Sequence, residues 1–261
     1  MSSLHLASHY LLYRLKAFKL HGVHSPFIFD LYHNVILHDG YYAAYATVET
    51  LREQLLQDKR TLQVTDFGAG PRAGKKRSRQ VAEIARTSAK PEKYGQLLFR
   101  LVNHFQPKTM FELGTSLGIT TSYLAEARKL ADIYTFEGCP EIARVAMENF
   151  HSLGLQHVKL IQGDLNETLV RQLQQVEQLD FVFFDGNHRY EPTMRYFEAC
   201  LEKHHEQSVF VVDDLYWSAG MKRAWQEIKK HPQVLQTVDL FYVGLVFFRT
   251  TQPKEHFTLY F

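Results

Sequence analysis

Cysteine is nearly absent: Cys139 and Cys200 are the only two in 261 residues. No disulfide framework can brace the fold, and a reducing, cytoplasmic setting is the simplest expectation. An excess of one charge is also missing, because 30 Lys and Arg face 28 Asp and Glu for a net charge of +2. That leaves no strong field for a polyanion, so nucleic acid is not the expected partner. Long apolar runs are lacking as well. No stretch reaches the roughly 18 uncharged apolar residues of a bilayer span. The first 22 residues have neither the unbroken apolar core nor the small-residue cleavage site of a signal peptide. Repeats and low-complexity tracts do not occur. What is present is 45% hydrophobic residues, enough to offset the entropy of ordering and to exclude a disordered chain.

The first sixty residues read as helical. Leu11, Leu12, Leu15, Phe18 and Leu20 make an apolar stripe, expected to pack on its own domain as most such stripes do, with contact to a membrane surface as the alternative. A second segment opens at Pro26 and a third helix covers 46–58. The glycines and Pro71 of Asp66-Phe67-Gly68-Ala69-Gly70-Pro71 mark a loop, followed by the basic run 75–79 and a short helix over 80–87. From residue 91 onward apolar strands alternate with amphipathic helices, the pattern of βαβ units and a parallel sheet. Strands fall at 109–113, 133–136, 158–161, 181–184 and 209–212. Helices fall at 120–130, 140–153, 165–175, 191–204 and 219–230. The segments 234–240 and 242–249 are separated by too little chain for a parallel crossover, so they form an antiparallel hairpin. The expected fold is therefore α/β: a Rossmann-like, doubly wound, mostly parallel seven-stranded sheet with one antiparallel strand. A mainly helical extension or lid (1–90) precedes the sheet domain (91–261).

The segment Met110-Phe111-Glu112-Leu113-Gly114-Thr115-Ser116-Leu117-Gly118-Ile119-Thr120 lies where the first strand of that sheet turns into its first helix. Ligands of such sheets bind beyond the carboxyl ends of the strands. Gly114 permits a sharp turn, and Gly118 permits close approach of helix and ligand. The second strand ends at Glu137, about 20 residues on, where an acid can accept hydrogen bonds from ribose hydroxyls. The G-x-G-x-x-G spacing that sets amides against a pyrophosphate is replaced by E-x-G-x-x-x-G. A ligand with an adenosine and an amino-acid tail, and no phosphate, fits this loop better. The rival loop at Asp66–Gly70 is followed by Pro71 and a basic run, with no strand ending in an acid about 20 residues later. It reads as a structural or substrate-side loop, its basic run as a solvated face.

The segment 110–120 resembles motif I of class I S-adenosylmethionine-dependent methyltransferases. Lys93-Tyr94-Gly95-Gln96, one helix upstream, is similar to a Lys-Gly-Gln stretch of the catechol O-methyltransferase-like group. Gly163-Asp164 resembles the motif that meets the adenine amino group. The resemblance covers residues 91–249. It implies S-adenosylmethionine as cofactor, with Gly114, Thr115 and Thr120 around the amino-acid tail, Glu137 on the ribose and the stretch from Asp164 beside the adenine. Glu112, Ser116, Gly118, Gly138, Gly163 and Asp185 complete the expected cofactor set.

Asp185-Gly186-Asn187-His188 closes the fourth strand of the sheet domain, and Asp213-Asp214 closes the fifth. Neighbouring parallel strands deliver their last residues to one edge, so Asp185, Asp213 and Asp214 should converge there. Three carboxylates repel one another unless a cation sits among them, and oxygen donors suit Mg²⁺ or Ca²⁺. The catechol-type group holds such a metal with Asp, Asp and Asn, so Asp214 departs from its pattern. It carries a Lys base where this chain has His188, a group able to take a hydroxyl proton near neutral pH. Asp185 and His188 are the expected catalytic pair. Tyr190 and Glu191 are placed to hold that segment, and Tyr216 and Trp217 to wall an acceptor pocket.

The resemblance implies an O-methyltransferase acting on a small hydroxylated molecule, with a homodimer compatible with the chain. Two alternatives are a methyltransferase for RNA or protein and a cofactor-binding module without activity. Nitrogen-methylating enzymes commonly carry an Asn/Asp-Pro-Pro-Tyr/Phe motif where this chain reads Asp-Gly-Asn-His, which argues against the first.

Overall fold

A computed structural model of the chain describes residues 3–19, 22–65 and 76–261. Helices α1 (Ser3–Lys16) and α2 (Pro26–Leu31) lead into one wide helical turn, Tyr32–Ile36, and then α3 (Ala43–Gln57). Ser25 caps α2 by accepting from the Ile28 amide, and Pro26 supplies a first-turn residue with no amide to satisfy. Next come β1 (Thr61–Thr65), β2 (Lys76–Gln80), α4 (Val81–Ser88) and α5 (Glu92–Phe105). The alternating portion follows: β3 (Thr109–Leu113), α6 (Ile119–Ala127), β4 (Asp132–Glu137), α7 (Pro140–Ser152), β5 (Val158–Gln162), α8 (Leu165–Leu173), β6 (Phe181–Phe184), α9 (Tyr190–Leu201), β7 (Val209–Asp213) and α10 (Ala219–Lys230). Three strands close the chain: β8 (Gln236–Asp239), β9 (Val243–Phe247) and β10 (Glu255–Thr258).

The chain divides into two compact units, 39–176 and a unit joining 1–38 to 177–261. In the first, β3, β4 and β5 pair in parallel in that order, Leu113 opposite Phe136 and Glu137 opposite Gln162. The strands β1 and β2 form a separate antiparallel hairpin. One apolar core joins α3, α4 and α5 to the glycine-loop helix α6 and to α7, through Val48, Leu51, Phe99, Ile119, Tyr123 and Val145. In the second unit β6 and β7 pair in parallel, β9 runs antiparallel to both β7 and β8, and β10 adds in parallel to β8. Both β6 and β7 are buried along their whole length, which is why each reads as a continuous apolar run and not an alternation.

The result is a mixed α/β fold with a large, mostly parallel sheet. All seven expected sheet strands are present, and β10 adds one more at an edge. Two local expectations are corrected. The Asp66–Gly70 loop lies outside the described residues, but Lys76–Gln80 is a strand paired to β1, and the helix after it begins at Val81. The apolar stripe of α1 does not pack inward: Leu11, Leu12, Leu15 and Phe18 are exposed, whereas Tyr13 is buried. Leu20 lies outside the described residues. The side of α1 that packs is aromatic, with Tyr10 and Tyr13 against Phe241. The N-terminal segment is also tied to the end of the chain, where the Phe18 amide donates to Thr258 and the Tyr32 hydroxyl to the Tyr260 carbonyl. Among the described residues, no helix is long and apolar enough to cross a membrane.

Gly244 on β9 lets Trp225 lie flat against the sheet. A Cβ there would stand 2.6 Å from Trp225 Cη2. Trp225 is wholly buried and its indole donates to Asp239 Oδ2 at 3.2 Å, so the ring cannot retreat cheaply. Gly244→Ala is expected to cost about 1–3 kcal/mol by overpacking, read as a lower urea midpoint with an unchanged slope.

Candidate functional site

In the unit 39–176, three parallel strands bring Leu113, Glu137 and Gln162 to one edge, and the chain beyond each carries the residues in question. Gly114, with φ of 115°, turns the chain out of β3, and the amides of Gly114 and Thr115 both donate to the Phe136 carbonyl. Ser116 adopts φ of 50°, and Gly118, with φ of 80°, caps α6. A Cβ on Gly118 would fall 2.5 Å from Phe150 Cε1, so glycine there answers both the backbone conformation and the close approach of α7. The Leu117 carbonyl accepts from Asn149 Nδ2 at 2.8 Å, fixing the other side of the loop.

Beneath the loop lies Glu112, fully buried. Its Oε2 accepts from Thr121 Oγ1 and, at 2.6 Å, from Thr135 Oγ1. Thr135 spends its single hydroxyl proton on that bond, so in the 2.6 Å contact between Thr115 and Thr135 the donor is Thr115. A directed chain of hydroxyls thus runs from the loop to the carboxylate. Glu112 acts on the loop from below, through Thr115. Thr120 is nearly buried at the start of α6.

Glu137 ends β4 half-buried. Its Oε2 accepts from the Ser116 amide at 2.9 Å and its Oε1 from the Cys139 amide at 2.8 Å. The Gly163 amide donates to the Glu137 carbonyl at 3.0 Å, which sets the end of β5 beside it. Asp164 caps α8 by accepting from the Asn166 amide at 2.9 Å. Glycine turn, Glu137 and Gly163-Asp164 are therefore gathered at one edge; Gly138 lies between Glu137 and Cys139. Burial pushes the Glu137 carboxyl up to about 6, against the pull of the Cys139, Ser116 and Gly138 amides, which favour the charged form.

In the other unit, β6 and β7 deliver Asp185 and Asp213, the latter wholly buried. Asp185, His188 and Asp213 each present a ligand-type atom, and the three atoms lie within 4.8 Å of one another. His188 Nε2 stands 3.6 Å from Asp185 Oδ1 and 3.9 Å from Asp214 Oδ2. Asp214 stays outside the trio that could share one ion. It leaves the strand with φ of 53°, so two consecutive carboxylates are presented differently. Asn187 also has a positive φ, 57°. Both belong to the side chains that enter this region most readily. Asn187 Oδ1 is buried and accepts no hydrogen bond from the described residues, while its Nδ2 reaches the Tyr196 hydroxyl at 3.5 Å. The sequence reading gave Asn187 no role; its place between Gly186 and His188, in a loop tight enough to need a left-handed residue, was the available signal.

Of the two aromatics proposed for a wall, Trp217 is exposed and Tyr216 is fixed. The Tyr216 hydroxyl donates to Asp239 Oδ2 at 2.6 Å, and its ring stacks on Phe241 at 5.1 Å and on His9 at 5.6 Å. Burial raises both partners' pKa values. Tyr190 lies under the Arg223 guanidinium at 3.9 Å.

The burial of Glu137 has a measurable consequence. Carbon-13 NMR of its carboxyl should show a midpoint near pH 6 instead of the ordinary 4.5. Because the folded value is the raised one, the contribution of this group to stability is full below about 4.5 and declines as pH rises through about 6. Glu137→Gln should remove that part of the pH dependence of unfolding.

Residues 111–215 match the family model Methyltransf_24, described as a methyltransferase domain. That stretch contains every site residue named above from Glu112 to Asp214. Similar solved structures include the SAH-bound methyltransferase PaMTH1 of Podospora anserina, at 15% identity and a TM-score of 0.60, covering 87% of this chain and 97% of that one. The O-methyltransferase of Bacillus cereus in complex with SAH is 18% identical, with a TM-score of 0.57 over 83% of this chain and 94% of its own. The O-methyltransferase TomG of Streptomyces achromogenes, solved with SAM and involved in tomaymycin synthesis, is 18% identical, with a TM-score of 0.57 over 84% and 95%. At these identities the likeness speaks for the fold.

Proposed function

We propose that the chain is a class I S-adenosylmethionine-dependent methyltransferase and that it methylates the oxygen of a small hydroxylated molecule. The observation that carries the proposal is the gathering of the glycine turn, Glu137 and Gly163-Asp164 at the ends of three adjacent parallel strands. Gly114, Thr115 and Thr120 would receive the amino-acid tail of the cofactor, with Ser116 and Gly118 shaping the turn. Glu137 would accept from the ribose hydroxyls, since three amides occupy only part of what a carboxylate can accept. Gly163 and Asp164 would border the adenine.

The sulfonium methyl is already activated, so the protein's main tasks are to align it with the acceptor and to free the acceptor oxygen of its proton. His188 is suited to the second task. Its Nε2 stands 3.6 Å from Asp185 Oδ1 and 3.9 Å from Asp214 Oδ2, at the ends of the strands where an acceptor hydroxyl would be presented. Asp185 would also orient the ring. The N-terminal helices would lie on the acceptor side.

A second reading has its own observation, the trio Asp185, His188 and Asp213. These residues fit a divalent ion, with His188 in the place that the sequence gave to Asp214. Two carboxylates and an imidazole suit Mn²⁺ or Zn²⁺ better than the Mg²⁺ or Ca²⁺ expected of oxygen donors alone. Such an ion would acidify a coordinated hydroxyl. His188 cannot bind it through Nε2 and take a proton there at the same time, so the two roles are separable by experiment.

Three outcomes are expected. Titration calorimetry should give an S-adenosylmethionine affinity that is full above pH 6 and falls below it as Glu137 is protonated. Glu137→Gln should flatten that profile, and Glu137→Ala should weaken binding about 10- to 100-fold, the worth of hydrogen bonds to a charged group. Unchanged binding in Glu137→Ala would take the residue out of the site. With a panel of phenols and catechols, His188→Ala should lower kcat by about 10²- to 10⁴-fold, as for loss of a general base, with cofactor affinity intact. If chelation instead abolishes turnover, and metal analysis shows His188→Ala unable to retain Mn²⁺ or Zn²⁺, His188 is a ligand; full activity in metal-free protein removes the ion.

A further inference from the structure

The outward face of α1 carries large exposed apolar side chains. Leu11, Leu12 and Leu15 are 62%, 52% and 76% exposed, and Phe18, just past the helix, is 54% exposed. Leu11 and Leu15 lie one turn apart on a single helical face, with Ala7 exposed one turn earlier, and Phe18 follows in the extended chain bridged to Leu259. Adjacent large apolar side chains presented together mark a contact surface, unlike isolated ones. The helix cannot roll to hide them. Its opposite side is held by Tyr13, whose hydroxyl donates to the Leu259 carbonyl, and by the stacking of His9 on Tyr216.

The stripe is bordered by cations. Helical spacing places Arg14 on one flank and Lys16 on the other, and Lys19 follows in the extended chain. No acidic residue occurs in the chain before Asp30. Arg14 donates to the hydroxyls of Tyr10 and Tyr260 and lies over the Tyr260 ring at 4.1 Å, contacts with neutral groups. The face is thus apolar in the middle and positive at both margins.

We propose that α1 docks on the surface of a bilayer containing anionic lipid, with Leu11, Leu12, Leu15 and Phe18 entering the headgroup boundary and Arg14, Lys16 and Lys19 against lipid phosphates. An apolar stripe between cationic flanks is the arrangement of helices that lie in the membrane plane. A second copy meeting this one through the same face would set two groups of cations together with no carboxylate from either α1 to separate them. Anionic headgroups supply the missing charge, and acyl chains cover the leucines. The inference stands on this surface alone and does not depend on the reaction.

The test is sedimentation of the full chain with vesicles of phosphatidylcholine, with and without about 30% phosphatidylglycerol, at about 0.1 M salt. Binding at least about tenfold stronger to the anionic vesicles, and weakening as salt rises, is expected from three cations near the surface. Leu11→Asp/Leu15→Asp should lose that binding, and Lys16→Glu/Lys19→Glu should lose its preference for anionic lipid. Both pairs are exposed, and circular dichroism checks that the variants fold. Equal or absent binding to the two vesicle types overturns the proposal. So does light scattering that shows a dimer which Leu11→Asp/Leu15→Asp converts to monomer, since the face would then belong to a second copy.

Discussion

A carboxylate shut away from water persists only where donors are aimed at it. Glu112 occupies such a place, and the hydroxyls of Thr121 and Thr135 are turned toward it. This requirement reaches the surface. Because Thr135 gives its proton inward, Thr115 must give its own to Thr135, and the glycine turn is held in one setting by a bond whose direction is decided two residues away. Strand β3, strand β4, helix α6 and the loop between β3 and α6 are fastened at a single charge. The Ser116 amide then meets Glu137 without a further adjustment.

The alternating half of the chain was legible because burial on both faces writes strands as unbroken apolar runs. Phe181–Phe184 and Val209–Val212 fall where the composition placed them. The hairpin of β1 and β2 was not legible, since Lys76–Gln80 has no apolar member and owes its form to pairing with β1. Strand β10 is likewise poor in apolar residues. The stripe on α1 shows a different limit. Periodicity reveals that a helix has two faces, but not which is covered, and here stacking of Tyr10 and Tyr13 against Phe241 decided the matter.

The same division holds for the site. Strand ends foretold that Asp185 and Asp213 would be neighbours, because parallel pairing delivers them to a common edge. Spacing could not foretell that Asp214 would diverge from Asp213. That depends on one backbone angle after β7, just as the reach of His188 depends on the left-handed turn at Asn187. The loops after β6 and β7 each contain one such residue, Asn187 and Asp214, in a backbone conformation that few other side chains would accept.

The grip of the closing segment on α1 gives the fold a clasp. Tyr13, Phe18 and Tyr32 are all bonded to residues 258–260, while β10 is bonded to β8. Strain applied at residue 261, by a fused domain or a tether, would travel first into the amino-terminal helix and the edge of the sheet. The glycine turn belongs to the other unit and has its own anchor in Glu112. Loosening the clasp would thus unseat the leucine-bearing helix while the hydroxyl chain beneath that turn stayed intact.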